Sequence, residues 1–176
     1  MIDFSRNHFE LFGLPLRYRI DDRSLEHTYR ALQGAVHPDR YAAAGDTEKR
    51  LALQASARVN EAYRTLRDPV TRAEYWLSLR GVAAAGETDT RLPVAFLSRQ
   101  LERRETAEEA SAARDVRALS KLIDEVRTEA LDAAADVARL LDADDVDTAR
   151  THVREWRFLV KLGDDLDALR AAEIDR

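Results

Sequence analysis

Apolar residues recur along this chain at the spacing of amphipathic helices. The first third carries two such stripes in succession: Leu25, Tyr29, Leu32 and Val36, followed by Leu51, Ala55, Val59, Ala62 and Leu66. Steps of three and four residues place the members of each stripe on one face of a helix. Two helices with one apolar face each, joined by a short loop, are expected to pack as an antiparallel hairpin.

Prolines and polar capping residues predict where these helices begin and end. Pro38 ends the first helix, because the residue before a proline is disfavoured in the α conformation. Asp22 or Ser24 can cap its start, and Thr47 can cap the start of the second helix. Pro69 stops the second helix. Short helices are expected on either side of the hairpin, over residues 3–11 and 71–79.

The second half of the chain follows a stretch with the composition of a linker, residues 81–91, which is rich in glycine and small residues. Beyond it, apolar positions alternate steps of mostly four and three, as in a helical bundle or coiled coil. These positions are 112, 116, 119, 123, 126, 130, 133, 137 and 141. A break near residues 141–145 precedes a last helix, which Gly163 loosens or ends. Its apolar stripe is Ala149, Val153, Trp156 and Val160.

The chain is therefore predicted to be all-α, with two helical modules. An N-terminal domain of a helical hairpin plus short helices covers residues 1–80. A linker covers residues 81–91, and a C-terminal three-helix bundle covers residues 92–176.

Composition and charge narrow the functional classes. The 176 residues include no Cys, which excludes disulfides, Cys-ligated metals and Cys nucleophiles. Residues 1–80 carry a net charge of +2 and residues 81–176 a net charge of −7. An acidic half disfavours nucleic-acid binding, because phosphate contacts need cations. With no apolar run long enough to span a membrane and no export signal, we expect a cytoplasmic protein without membrane or nucleic-acid partners.

Searches for catalytic patterns find no candidate active site. The sequence holds no phosphate-binding glycine loop and no His-Glu-x-x-His motif. Its four histidines lack metal-ligand spacing, and the acidic run over residues 142–147 lacks the glycine and glutamate of a calcium loop. We therefore expect no metal, no cofactor and no enzymatic activity.

The tripeptide His37-Pro38-Asp39 is the most distinctive motif. It lies at the tip of the predicted hairpin, where it is either a simple helix stop or a stiff loop that presents a ring nitrogen and a carboxylate to a partner. On an ideal helix, Arg23, His27 and Arg30 lie opposite the apolar stripe. A weakly basic face therefore leads to this loop and continues to Arg40.

Helix, His-Pro-Asp, loop and helix together resemble the J domain of co-chaperones. Further segments are similar to one family of J proteins, the iron–sulfur assembly co-chaperone HscB. They are residues 7–15, 59–69, 72–75 and 77–79 in the first half, and 95–97, 100–102, 104–105, 157–159 and 161–162 in the second. The resemblance covers nearly the whole chain.

The resemblance implies a co-chaperone that is not itself an enzyme. Its J domain would engage an ATP-bound DnaK-type chaperone, the specialised HscA, and stimulate that chaperone's ATP hydrolysis. His37, Pro38 and Asp39 match the signature required for this, with Arg30 and Arg40 as flanking basic residues. The client would be the iron–sulfur scaffold IscU, which the C-terminal bundle would bind and deliver. Five positions match the family's client contacts: Leu97, Leu101, Glu102, Glu105 and Phe158.

Helical spacing gives separate information on whether the apolar client positions are exposed. Phe158 falls on the polar face of the last predicted helix, and Leu97 and Leu101 are i, i+4 neighbours. These apolar residues could form one exposed patch for a partner, with the two glutamates as rim charges. The alternative is that all three belong to the core of the bundle.

The chain departs from the family pattern at a few positions. Val36 stands where an aromatic residue is usual. Gly34 destabilises a helix by up to about 1 kcal/mol relative to Ala. Ser98, Arg103 and Thr106 differ from the residue types expected around the client site.

Other functions fit parts of the pattern. A J-domain adaptor for a different client would stimulate a chaperone without binding the scaffold. A helical interaction or nucleic-acid module, in which His-Pro-Asp is only a turn, would do neither. An enzyme using His37 and Asp39 as an acid–base pair is disfavoured, because the proline restricts their mutual approach and no nucleophile lies nearby in the sequence.

Overall fold

The computed structural model describes residues 3–41, 44–82 and 92–174, and every regular element within them is helical. In chain order these are α1 (His8–Leu11), α2 (Asp22–Val36), a 3₁₀ turn (Pro38–Tyr41), α3 (Asp46–Arg67), α4 (Pro69–Ser78), α5 (Val94–Ala112), α6 (Val116–Asp142) and α7 (Val146–Ile174). The all-α prediction is confirmed. Residues 83–91 of the predicted linker lie outside the described residues.

The chain divides into two compact units, Met1–Trp76 and Leu77–Arg176. Among the described residues, no helix is both long and apolar enough to span a membrane.

The first unit is built on the antiparallel pair α2 and α3. Contacts run in opposite order along the two helices: Glu26 and Tyr29 meet Tyr63, and Gln33 meets Asn60. The Tyr29 and Tyr63 rings stack with their centroids 3.9 Å apart. Between the helices, the predicted apolar stripes supply fully buried side chains: Leu25, Val59, Ala62 and Leu66. The predicted hairpin is therefore confirmed.

Two of the predicted helix caps are wrong by one to three residues. Asp21, rather than Asp22 or Ser24, caps α2, and its carboxylate accepts a hydrogen bond from the Ser24 amide at 3.1 Å. The N-cap of α3 is Gly45, so Thr47 lies inside that helix. Neighbouring residues that can all cap a helix are not distinguished by their spacing in the sequence.

The proline that stops α3 also starts α4, two residues earlier than predicted. Pro69 occupies the first helical position, and the Asp68 carboxylate accepts a hydrogen bond from the Thr71 amide at 2.7 Å. One turn later, the buried Arg72 donates to the carbonyl of Leu66 at 2.8 Å, which satisfies an acceptor at the end of α3. Arg72 therefore has a structural role in joining α4 to α3.

The short helix α1 packs against α4 through His8 and Phe9. Asn7 and Glu10 form a reciprocal capping box, so the helix begins at residue 8 instead of residue 3. The His8 ring stacks on Tyr75 with centroids 4.2 Å apart, and the His8 amide donates to the Tyr75 hydroxyl at 2.9 Å. Phe9 is completely buried.

In the second unit, α5, α6 and α7 form the predicted three-helix bundle. Their common core consists of Phe96, Ala107, Ala110, Leu119, Leu122, Ile123, Val126, Leu159 and Leu166. The start of the predicted seam is wrong, because α5 ends at Ala112 and the chain reverses before α6. Arg114 in this turn has left-handed backbone (φ 54°), and the Asp115 carboxylate caps α6.

The last helix, α7, continues through Gly163, so the predicted end at this glycine is wrong. A Cβ at Gly163 would lie 3.9 Å from the Val126 side chain, which is ordinary van der Waals contact. Most of the predicted core stripe of α7 is buried: Ala149, Val153 and Trp156. Its last member, Val160, is exposed, and Leu159 takes the core position. Both residues fit the helical period after Trp156, so only packing against α6 selects between them.

Candidate functional site

The turn between α2 and α3 presents the His37-Pro38-Asp39 motif. Helix α2 ends at Val36, and His37 has extended backbone with ψ 128°, as expected before a proline. In the following 3₁₀ turn, the Arg40 amide donates to the His37 carbonyl at 3.1 Å. The motif therefore belongs to a hydrogen-bonded turn, which restricts the positions of its side chains.

His37 and Asp39 lie side by side at the surface, with 53% and 89% of their side chains exposed. Nδ1 of His37 is 3.3 Å from the Asp39 amide nitrogen and 3.5 Å from Oδ2 of Asp39. The expectation that the proline keeps the two side chains apart is wrong, because the 3₁₀ turn folds Asp39 back towards the ring.

The two flanking arginines are held differently. Arg40 turns back towards α2, where its Nη1 donates to the Gly34 carbonyl at 3.0 Å. Arg30 lies on the exposed face of α2 and pairs with Glu26 at 2.9 Å. Arg23 on the same face is also exposed, as predicted. Arg40 therefore belongs to the turn, whereas Arg30 belongs to the helix face that leads to it.

Replacing Gly34 by Ala is expected to raise the free energy of unfolding by about 0.5–1 kcal/mol. Gly34 is exposed inside α2, and a Cβ there would meet nothing within 4 Å. Urea denaturation followed by far-ultraviolet circular dichroism measures the change. The matched control is Gly13→Ala, which is expected to destabilise because Gly13 has φ +64°. Equal effects at the two positions would contradict the prediction.

A second candidate surface lies on α5 in the other unit. Leu97 and Leu101 are 45% and 59% exposed, so the alternative that places them in the core is wrong. Phe158 of α7 is partly exposed, and its ring meets the buried ring of Phe96 edge-on with centroids 5.6 Å apart. The aromatic pair anchors Phe158 to the core while leaving part of its ring at the surface.

The two glutamates predicted as rim charges lie on the same helix, α5. Glu105 follows Leu97 and Leu101 at i+8 and i+4, whereas Glu102 is rotated about 100° from Leu101 on the same helix. Both glutamates are exposed. Sequence reasoning missed Val94, which is 80% exposed and lies at i−3 from Leu97 and i−7 from Leu101. Its helical spacing was the signal that could have found it.

Sequence similarity to known proteins extends over nearly the whole chain. A family model described as HSCB C-terminal oligomerisation domain matches residues 92–167. A curated relative from Burkholderia multivorans, named co-chaperone protein HscB homolog, is 45% identical over 168 residues, which cover 96% of each chain. The chain belongs to the HscB co-chaperone family.

Two solved HscB structures share the fold. HscB from Vibrio cholerae is 33% identical with a TM-score of 0.85, and the match covers 95% of this chain and 99% of that one. Human co-chaperone HscB is 28% identical with a TM-score of 0.87, over 94% of this chain and 83% of that one. As an HscB protein, the chain combines a J domain with a helical bundle. It is a co-chaperone of iron–sulfur cluster assembly that works with an Hsp70-type chaperone.

Proposed function

We propose that the His37-Pro38-Asp39 turn is the surface through which this HscB protein engages an ATP-bound chaperone of the HscA type and stimulates its ATP hydrolysis. The observation that carries the proposal is the exposure of both polar side chains on a turn that is already hydrogen-bonded. A pre-ordered turn loses little conformational entropy on binding, so more of the interaction energy is available for the complex. The protein then regulates its partner's ATPase and carries out no reaction itself.

The arginines near the turn are assigned to electrostatic steering of the chaperone encounter. Arg30 is exposed on α2, and Arg40 is held at the turn by the Gly34 carbonyl. Surface charges of this kind mainly accelerate association and orient the encounter. Arg30 and Arg40 are therefore assigned to steering, and His37, Pro38 and Asp39 to the contact that stimulates hydrolysis.

The apolar surface on α5 and α7 is proposed to bind the client, an IscU-type iron–sulfur scaffold. Leu97, Leu101 and Phe158 provide its apolar part, and exposed apolar groups clustered on a helix are typical of protein-binding surfaces. Glu102 and Glu105 lie at its rim, where charge affects the association rate more than the affinity.

In this proposal the domains have separate tasks. Residues 1–80 act as the J domain and residues 92–176 as the client-binding bundle. Residues 81–91 link the two domains, and the protein works in the cytoplasm.

Steady-state ATP hydrolysis by the purified HscA-type chaperone tests the proposal. Four mixtures are compared: the chaperone alone, with this protein, with the scaffold, and with both. Stimulation by this protein that increases further with scaffold supports both surfaces. Stimulation that is indifferent to scaffold removes the client assignment, and a lack of stimulation by folded protein removes the chaperone assignment.

Replacing Leu101 by Ala is expected to weaken scaffold binding about tenfold, since truncation of an apolar residue near the centre of an interface costs 1 kcal/mol or more. Isothermal titration calorimetry with cluster-free scaffold measures the affinity. Leu131→Ala is the matched control, because Leu131 is a similarly exposed leucine on α6 that belongs to no proposed surface. A loss of the same size in both variants would count against the client site.

A further inference from the structure

The side of α5 that faces the bundle carries few large apolar side chains. Its buried residues are Phe96, Gln100, Ala107 and Ala110. Its exposed aliphatic residues are Val94, Leu97 and Leu101. One aromatic ring, one amide and two alanines bury little apolar surface, and burial of apolar surface is what normally fixes the face that a helix turns to the core. Hydrophobic burial therefore holds the rotation of α5 only weakly, and polar contacts to α6 can add to it.

Two arginines of α5 converge on one carboxylate of α6. Oε2 of Glu129 accepts a hydrogen bond from Nη2 of Arg103, and Oε1 of Glu129 lies 3.6 Å from Nη2 of Arg99. Arg103 also donates through Nη1 to the side-chain oxygen of the buried Gln100 at 3.1 Å. Arg99, Arg103 and Glu129 are called the arginine clamp below.

The clamp is well placed to set the rotation of α5. Its two arginines lie one turn apart on α5 and use both oxygens of the same carboxylate, so turning the helix would break both contacts. Arg103 and Glu129 are 17% and 29% exposed, and a partly buried charge that loses its partner is destabilised. At 100° per residue, Arg103 lies about 120° from Leu97 and about 160° from Leu101. The clamp therefore holds against α6 the side of α5 that lies opposite Leu97 and Leu101.

We infer that the arginine clamp is a positioning device for the client surface, holding α5 in the rotation that keeps Leu97 and Leu101 exposed. The inference rests on the proposed client function. It adds Arg99, Arg103 and Glu129 to the residues that determine client affinity, through the orientation of α5 rather than through contact with the scaffold.

Binding of cluster-free IscU-type scaffold to full-length variants tests the inference. Glu129→Gln, which keeps the size of the side chain but removes its charge, is expected to weaken binding about 5–10-fold. A second variant exchanges the charges of the remaining pair: it combines Arg103→Glu and Glu129→Arg with Arg99→Gln. Its affinity for the scaffold is expected to lie within about threefold of that of the single variant Arg99→Gln. Recovery in the reversed pair would show that binding depends on the ion pair between the two helices and not on either side chain alone.

Thiol labelling provides a direct readout of the rotation, because the natural chain contains no cysteine. Ala107→Cys places a thiol on the buried face of α5, and Ala138→Cys places one in a buried position of α6. Adding Glu129→Gln is expected to accelerate labelling at position 107 at least fivefold and to leave position 138 unchanged. Global opening would accelerate labelling at both positions and would overturn the inference.

Leu101→Ala in the same binding assay separates this inference from the proposed function. Normal binding by Glu129→Gln together with weak binding by Leu101→Ala overturns the clamp and leaves the client site in place. An absence of scaffold binding by the wild-type protein overturns the client site, and the clamp inference with it. If the reversed pair fails to restore binding, the positioning role of the clamp is overturned, and the proposed client site remains.

Discussion

Replacing His37 by Gln is expected to reduce stimulation of the chaperone ATPase at least about tenfold, as for a residue at the centre of an interface. The free energy of unfolding is expected to stay within about 0.5 kcal/mol of the wild-type value, as for surface substitutions generally. The His37 ring is half exposed, and the contacts that it makes are with Asp39 in the same turn. The core of the hairpin therefore does not depend on it.

His152→Gln is the matched control for this prediction. His152 lies on α7 in the other unit, where its Nδ1 is 3.1 Å from the Thr148 carbonyl oxygen, and it belongs to no proposed surface. This variant is expected to stimulate the chaperone nearly as well as the wild-type protein. Steady-state ATPase assays give the stimulation, and thermal unfolding gives the stability. Unchanged stimulation by His37→Gln, or an equal loss in both variants, would show that the turn is not the chaperone contact.

Acidification from pH 7 to pH 4 is expected to destabilise the protein through His8 by on the order of 2–3 kcal/mol. Burial lowers the pKa of His8 from 6.5 to about 4; the charge of Arg58 acts in the same direction, and Glu61 acts against it. In the unfolded chain the pKa returns to about 6.5. The unfolded state therefore binds more protons between these two values. Stability that is complete above pH 6.5 is lost as the pH falls towards 4.

The difference between the wild-type protein and His8→Phe isolates this effect, because other titrating groups contribute to both. Phenylalanine keeps an aromatic ring against Tyr75 and removes Nδ1, which is buried without a hydrogen-bond partner. We measure the free energy of unfolding of both proteins by urea denaturation at several pH values between 7 and 4. From pH 7 to pH 4, the difference between His8→Phe and the wild-type protein is expected to shift by about 2–3 kcal/mol in favour of His8→Phe. A difference that stays constant over this range would contradict the prediction.

The hairpin and its motif were predictable from the sequence because both depend on local rules. Regular apolar spacing defines the buried faces of α2 and α3, and Pro38 ends α2 whatever surrounds it. The choice of capping residue was less secure. Asp21, Asp22 and Ser24 can each accept an amide hydrogen bond, and only the path of the preceding chain selects Asp21.

Helix α5 shows why the surface that we propose for the client was harder to predict. Its sequence pattern does not distinguish an apolar stripe that faces the core from one that faces a partner. The rotation depends on Glu129, which is 26 residues away from Arg103 in the chain and meets it only after α6 has packed. The same limit applies at the end of the core stripe in α7, where Leu159 rather than Val160 is buried.

The sequence by itself determined the helical class, the hairpin with its exposed His-Pro-Asp turn, and the residues that resemble the HscB family. These features follow from backbone preferences and from periodic apolar positions, which act over a few residues. The tertiary structure alone decided the rotation of α5, the burial and lowered pKa of His8, and the inward position of Arg72. Each of these depends on packing and electrostatic interactions between groups that are distant in the chain. Local spacing of residues does not identify such partners.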